Sequence, residues 1–258
     1  MNIAYGERPG WVFSSKGQCG LTSDNAKFFA FPVQSENTKR RALDSGPTPG
    51  MAVGDELYFR RFAFKNMPVC GADGLCLSPH LAEQDERFGQ AWSIYAEAFT
   101  GFERRARREQ SRVMRHPLYR FSAILQDGVV VGVLAWWDVP DFCFVEHFAI
   151  SSIQRSGGLG RRALALLLAH EDRPVIVDVE PFGSGQLSSR RVAFYARLGF
   201  KYCATPVTLP PYAGKTAEPS NLMAWPVELD RIECERALAA IRRDVYGLHT
   251  RMPGIRVV

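Results

Sequence analysis

A glycine-rich loop in the middle of the chain lies between an apolar strand and an apolar helix, and a second strand follows that helix. The strand is predicted over 142–150, the loop over 154–160, the helix over 161–170 and the second strand over 175–180. This order forms a βαβ unit, in which the two strands are parallel and the connection is right-handed. The sequence therefore predicts a sheet that contains a parallel pair of strands.

Antiparallel strands are predicted immediately before this unit. Asp127-Gly128 separates apolar runs at 121–125 and 129–137, and this dipeptide between two strands is a strong hairpin signal. The other predicted elements are helices over 84–99, 103–115, 188–198 and 229–246, and strands over 201–209 and 221–225. The expected fold class is α/β, with a mixed sheet flanked by helices.

Composition divides the chain into three regions. Gly, Pro, Ser and Asn make up 18 of the first 50 residues, which predicts a poorly ordered N-terminal extension over 1–73. The organised domain is expected over 74–228, followed by a C-terminal helix and tail over 229–258. Overall, 46% hydrophobic and 23% charged residues exclude a wholly disordered chain.

Compartment and metal content are constrained by what the sequence lacks. No apolar run approaches the ~20 residues of a membrane-spanning helix, and the first residues do not resemble a secretory signal. We expect a cytoplasmic protein without membrane attachment. Six cysteines occur without C-x-x-C or H-E-x-x-H, so no metal is expected. Cys143 and Cys203 lie in apolar runs and are expected to be reduced core residues.

The charge balance favours an anionic ligand. The net charge of +5 and the pI near 9.0 are too small a positive excess to indicate nucleic acid. Six arginines fall within 103–115. Such a run is either a solvated helix face or a surface that attracts phosphate or acidic substrates. It lacks interleaved aromatic residues, so no nucleic-acid partner is expected.

The loop at 154–160 has the properties of an anion-binding site. Glycines let the backbone approach a phosphate closely, and the N-terminus of the following helix adds about half a positive charge. No Gly-Lys-Ser/Thr follows, which excludes a Walker A loop, and G-x-G-x-x-G is absent. In isolation, the loop could equally be a strand-to-helix turn that requires glycine.

Two motifs in order make the sequence resemble the GNAT acyltransferase superfamily. Residues 155–160, Arg-Ser-Gly-Gly-Leu-Gly, resemble its pyrophosphate loop, and residues 194–200, Phe-Tyr-Ala-Arg-Leu-Gly-Phe, resemble its later helix-to-strand motif. A bacterial subgroup is similar in further segments at 95–99, 103–105, 146–150, 179–181 and 210–215. The resemblance covers about 75–226. Ser156 departs from the family loop, which usually has glycine at that position.

This resemblance implies both a fold and an activity. The fold is a mixed, mostly antiparallel sheet with a parallel pair of strands that splay apart. The activity is transfer of an acetyl (acyl) group from acetyl-CoA to a primary amine of a small molecule or peptide, by direct attack, in a monomer or homodimer. The alternative is a non-catalytic acyl-CoA-binding sensor with the same fold, which turnover of any amine would exclude.

The resemblance also implies which residues contact coenzyme A. They are Phe148, Ala149, Ile150, Arg155, Ser156, Gly157, Gly158, Leu159, Gly160, Arg161, Ser188 and Tyr195. Tyr195 is in addition the implied general acid, because the family usually has a tyrosine close to the thiol. The alternative for Tyr195 is a packed aromatic side chain.

Glu146 is the candidate general base. Strand alternation places it on the same face as Phe148, beside the expected thioester. The alternatives are a surface carboxylate or a structural partner of an arginine. His147 is expected to point the other way, as a packed core histidine. Asp178 or Glu180, on the neighbouring strand, could instead bind the amine or act as the base through water.

Overall fold

The computed structural model describes residues 67–101, 103–155, 157–212, 217 and 219–247. Most of the extension predicted over 1–73, and the tail after 247, lie outside these residues. The strands are β1 (Val69–Cys70), β2 (Leu75–Leu77), β3 (Tyr119–Gln126), β4 (Val129–Val139), β5 (Phe142–Ile150), β6 (Val175–Val179), β7 (Lys201–Thr208) and β8 (Pro219–Trp225). The helices are α1 (Glu86–Ala98), α2 (Arg107–Val113), α3 (Leu159–His170), α4 (Gln186–Arg197) and α5 (Arg231–Asp244). None of these helices has the length and apolarity needed to cross a membrane.

Within the described residues, eight strands form one sheet in the order β1-β2-β3-β4-β5-β6-β8-β7. All neighbouring strands are antiparallel except β5 and β6. This arrangement confirms the predicted mixed, mostly antiparallel sheet. The short strands β1 and β2 were not predicted, and β1 extends the sheet to residues before the boundary expected at 74.

The predicted hairpin joins β3 to β4. Asp127 has φ 52° and Gly128 has φ 83°, so both residues of the turn are in the left-handed region that a two-residue turn of this hand requires. A short aspartate and a glycine tolerate that region better than other residues. The Asp-Gly dipeptide therefore fixes the register of β3 and β4 at the turn.

Helices cover both faces of the sheet. On one face, which we call the α1/α5 face, the apolar side chains of α1 and α5 pack on residues of β3 and β4. On the other, the α3/α4 face, α3 and α4 pack on β5 and β6. Helix α3 contributes five buried apolar residues, namely Leu159, Ala163, Leu164, Leu167 and Leu168. Its wide apolar stripe explains why it holds the βαβ connection against the sheet.

The parallel strands separate after a short paired region. Pairing runs from Cys143–Val175 to Val145–Val177, and β5 then continues for five residues and β6 for two without pairing to each other. The predicted splay is therefore confirmed. The unpaired backbone groups on the two strands border a gap in the middle of the sheet.

A β-bulge in β5 corrects the predicted orientation of Glu146. Ala135 of β4 pairs with His147, and Trp136 pairs with Val145, so Glu146 is an extra residue in β5. Its carboxylate accordingly contacts residues of the α1/α5 face, and the neighbouring His147 packs on that face too. The prediction that Glu146 shares a face with Phe148, and that His147 points away from it, is wrong. The inserted residue shifts the two-residue alternation by one.

The cysteine prediction also needs correction. The structure pairs Cys70 with Cys76, across β1 and β2, and Cys203 with Cys234, across β7 and α5, as disulfides. Cys203 and Cys143 are both buried, as expected. Cys203 is not a reduced residue, because the packing of α5 against β7 brings it to a cysteine 31 residues away.

Candidate active site

A cavity of about 430 Å³ lies where the unpaired end of β5 meets the start of α3 and the end of α4. Seven of the predicted cofactor-binding residues line it, namely Phe148, Ile150, Arg155, Gly158, Leu159, Gly160 and Arg161. The glycine-rich loop, the splayed strand and the helix start are therefore parts of one site.

The start of α3 presents backbone donors at this cavity. Gly158 occupies the N-cap with φ 71°, and no described side chain caps the helix there. The first N–H groups of a helix have no acceptor within the helix, so they are available to an anion. A Cβ at Gly160 would lie 3.5 Å from the Phe148 ring, an ordinary van der Waals distance, so the helix start packs directly against β5.

Cations and apolar side chains share the lining of the cavity. Arg155, Arg161 and Arg197 are exposed at its edge, whereas Phe148 and Phe194 stack at 6.2 Å between ring centroids. The Arg155 Nε donates to the Ile150 carbonyl oxygen at 3.2 Å, which holds that side chain near the cavity. This combination suits a ligand that has phosphates at one end and a long uncharged arm.

Four lining residues were missed by the sequence reasoning. They are Gln154, Phe194, Arg197 and Leu198. The last three lie at i, i+3 and i+4 in and just after α4, so they share one side of that helix. The helical spacing could have identified them, had the side of α4 that carries Phe194 been considered.

The remaining predicted cofactor residues do not line the cavity. Ala149 is buried in the core of the α1/α5 face, and Gly157 is exposed beside the loop. The Ser188 hydroxyl donates to the Pro181 carbonyl oxygen at 2.7 Å, which ties the start of α4 to the preceding loop. Tyr195 is buried on the α3/α4 face. Ser156 lies outside the described residues.

Gly158→Val should weaken the binding of coenzyme A at least about 10-fold. A Cβ at Gly158 would meet no protein atom within 4 Å, so the valine would stand in the open space beside the helix N-terminus. Isothermal titration calorimetry measures the affinity. Gly128→Val is the matched control, because Gly128 also has positive φ and open space but lies in the β3–β4 turn. Equal affinity of wild type and Gly158→Val would remove the loop from the site.

Glu146 is fully occupied by hydrogen bonds. Its two oxygens accept from the Arg105 guanidinium at 2.7 Å each, from Trp137 Nε1 at 3.0 Å and from the Tyr212 hydroxyl at 2.7 Å. Burial would raise the pKa of Glu146, but the Arg105 charge and a contact with His147 outweigh burial and hold that pKa well below its usual range. Such a carboxylate is a weak base, and the contacts favour the alternative of a structural partner of an arginine.

Glu146→Gln should lower the free energy of unfolding by about 2 kcal/mol, because it leaves the buried Arg105 without a counter-charge. The folded-state pKa is lowered, so this contribution is fully present above the unfolded pKa near 4.5 and is lost progressively as the pH falls from there toward the folded-state pKa. Urea denaturation at pH 7 and pH 3 measures both effects. Glu235→Gln is the control, since Glu235 forms an exposed pair with Arg231. Wild-type stability with lost turnover would instead identify Glu146 as the base.

Asp178 lies at the splay, one residue beyond the last β6 residue that pairs with β5. Burial raises the pKa of Asp178 to about 6, although the nearby His147 opposes that shift. Burial raises the pKa of Tyr195, and the negative charge of Asp178 raises it further. A carboxyl group with a pKa near 6 is suited to accept a proton, and a phenol that stays protonated is suited to donate one.

Glu180 and His147 are less suited to proton transfer. Glu180 forms a half-exposed ion pair with Arg191 at 3.0 Å, at the end of the unpaired part of β6. His147 is a packed core residue, as expected. Its ring contacts Tyr95 and Phe99, and its Nε2 lies 2.9 Å from the Glu103 carbonyl oxygen.

Comparison with known proteins agrees with this geometry. Residues 85–200 match the family model described as the acetyltransferase (GNAT) family. One similar solved structure is described as an acetyltransferase from the GNAT family of Bacteroides thetaiotaomicron, with 28% identity, a TM-score of 0.63, and coverage of 67% of this chain and 99% of that chain. Another is the ribosomal-protein-S18-alanine N-acetyltransferase from Escherichia coli, with 19% identity, a TM-score of 0.44, and coverage of 60% and 96%. A search of the curated proteins finds no match.

The family match spans α1 through α4, and therefore contains the splay, the loop and the cavity. The Bacteroides structure shares the overall fold of this chain. Residues 85–200 therefore match a GNAT acetyltransferase domain, and this match supports acyl transfer from an acyl-coenzyme A as the activity of that domain.

Proposed function

We propose that this protein transfers an acetyl group from acetyl-CoA to a primary amine of a small molecule or peptide, by direct attack of the amine. The observation that carries the proposal is the cavity at the splay. It joins an uncapped helix start and three arginines to the unpaired end of β5, with Asp178 just beyond the paired part of β6 and Tyr195 buried on the α3/α4 face.

The residues that line the cavity support one placement of acetyl-CoA. Its pyrophosphate would accept from the N–H groups at the start of α3, with Arg155 and Arg197 supplying positive charge. Its pantetheine arm would run beside Phe148 into the gap and pair with unpaired backbone groups of β5, like an added strand. A backbone N–H there would polarise the thioester carbonyl group.

The proton transfers are assigned to the two groups at the gap. Asp178, ionised above about pH 6, would take a proton from the incoming ammonium, directly or through a water molecule. The amine nitrogen then forms a bond to the thioester carbon, and the carbon–sulfur bond breaks. Tyr195 would give its proton to the departing thiolate and recover, through water, the second proton that the nitrogen loses as the amide forms, while Asp178 releases the first to solvent. The reaction needs no covalent intermediate, so positioning supplies most of the rate.

Thiol release from acetyl-CoA in the presence of a panel of amines tests the proposal. We expect one acetylated amine, identified by mass spectrometry, for each coenzyme A released. The competing function, an acyl-CoA sensor, predicts binding of acetyl-CoA without turnover of any amine. Binding without turnover across peptides and small amines would therefore overturn the catalytic proposal.

A further inference from the structure

We propose that the acceptor is an anionic amine, whose carboxylate or phosphate binds Arg112 and Arg115 in a groove on the α1/α5 face. This inference rests on the proposed function, because it names the class of amine that the enzyme acetylates.

The groove has a volume of about 920 Å³ and is separate from the cofactor cavity. Its walls come from α2 and residues 114–118, from Pro211 and Tyr212 after β7, and from residues 243–247 at the end of α5. Trp137 of β4 also lines it. The family match ends at residue 200, so the walls formed by Tyr212 and by the end of α5 lie outside it.

Charged residues in the lining comprise four arginines and two acids. Glu109 accepts from the Ala106 backbone N–H at 3.2 Å and keeps its charge, and Asp244 forms two hydrogen bonds of 2.7 Å with Arg243, itself a lining residue. Arg105 is held by Glu146. Four arginines therefore face three carboxylates, which leaves one positive charge in excess.

Arg112 and Arg115 supply this excess. Both are exposed, and neither forms an ion pair with another of the described residues. Arg115 lies three residues after Arg112, and its backbone N–H donates to the Arg112 carbonyl oxygen at 3.1 Å. Both side chains line the groove. Guanidinium groups bind carboxylates and phosphates through paired hydrogen bonds. The two arginines therefore fit one anionic group of a ligand.

The inner end of the groove approaches the gap between β5 and β6. Tyr212 lines the groove, donates to Glu146 in the β5 bulge and stacks on His147 at 5.8 Å between ring centroids. His147 in turn interacts electrostatically with Asp178. A ligand held by its anion at Arg112 would thus extend over the aromatic side chains toward the base, from the face opposite to acetyl-CoA.

Three probes with one aromatic frame test this inference. They are 4-(2-aminoethyl)benzoate, its neutral carboxamide and tyramine O-phosphate, each titrated by calorimetry into the coenzyme A complex. We expect the benzoate or the phosphate to bind at least about 10-fold more tightly than the carboxamide. The anion that binds more tightly indicates whether the anionic group of the natural acceptor is a carboxylate or a phosphate.

Arg112→Gln/Arg115→Gln should abolish this preference, whereas the control Arg108→Gln should keep it. Arg108 is exposed on α2 but does not line the groove, so its loss removes one positive charge, compared with two in the test variant, without the loss of contact. Equal binding of anionic and neutral probes to the wild type, or an equal loss in Arg108→Gln, would overturn the inference.

Acetylation of the same probes separates the two proposals. Anion-dependent binding without acetylation of any probe would support the groove and count against the proposed catalytic function. Acetylation of the carboxamide with the same kcat/KM as the two anions would support catalysis and overturn the anionic acceptor.

Discussion

Asp178→Asn is expected to lower kcat/KM by about 10²- to 10⁴-fold, the usual contribution of a general base. The substitution keeps the size of the side chain and removes only its capacity to accept a proton. Affinity for coenzyme A should not change, because Asp178 does not line the cofactor cavity. Steady-state kinetics and calorimetry together measure the two effects.

The pH profile gives this prediction a second readout. Because the Asp178 pKa is about 6, kcat/KM of the wild type should rise with pH up to about 6 and then level off. Asp178→Asn should lose that rise. Glu180→Gln is the matched control, since Glu180 lies two residues further along and is paired with Arg191. A normal profile in Asp178→Asn, with lost activity in Glu180→Gln, would transfer the role to Glu180.

The same substitution should stabilise the fold at neutral pH. The pKa of Asp178 is raised by folding, so its contribution to stability is present below the unfolded pKa near 3.8 and is lost as the pH rises through about 6. A neutral asparagine avoids that loss. Asp178→Asn should therefore melt at a higher temperature than the wild type at pH 8 and at the same temperature near pH 3.5. A lower Tm at pH 8 would contradict the burial argument.

Sequence patterns predicted the parts of the fold that depend on local interactions. The Asp127-Gly128 turn, the apolar stripe of α3 and the order of strand, loop, helix and strand are all encoded by neighbouring residues. The parallel pair followed from the handedness of a βαβ connection. For the same reason, most of the loop residues assigned to the cofactor lie together in one cavity.

Features that depend on distant residues could not be predicted in this way. The bulge at Glu146 adds one residue to β5 only, and strand alternation cannot reveal an insertion that its partner strand defines. The partner of Glu146 is Arg105, 41 positions earlier, within a run of six arginines that offers no basis for choosing one. The strands β1 and β2 are two and three residues long, which is too short for a periodic pattern.

The bulge at Glu146 decides which side chains of β5 lie on each face of the sheet beside the gap. The bulge turns both Glu146 and His147 toward the α1/α5 face. Phe148 and Ile150 therefore occupy the α3/α4 side of β5, where they line the cofactor cavity. The carboxylate binds Arg105 and Tyr212, both of which line the groove. The bulge thus gives β5 one surface for the cofactor and another that supports the proposed acceptor groove.

Tyr195→Phe is expected to lower kcat by about 10- to 1,000-fold, which brackets the usual contribution of a general acid. Burial and the nearby Asp178 carboxylate raise the pKa of Tyr195, so its hydroxyl remains protonated throughout the working pH range. A protonated phenol beside the gap can donate to the thiolate as the carbon–sulfur bond breaks. Pre-steady-state measurement of thiol release would locate the loss in the chemical step.

Stability and affinity for coenzyme A should change little in this variant. The Tyr195 ring packs against Phe194 and Phe200, with centroids 5.2 and 5.3 Å away, and phenylalanine keeps both contacts. Tyr202→Phe is the matched control, because its hydroxyl only accepts from the Phe182 backbone N–H at 3.2 Å. If Tyr195→Phe turned over like the wild type, the thiolate would leave unassisted or take its proton from water. Tyr195 would then be a packed aromatic residue of the α3/α4 core.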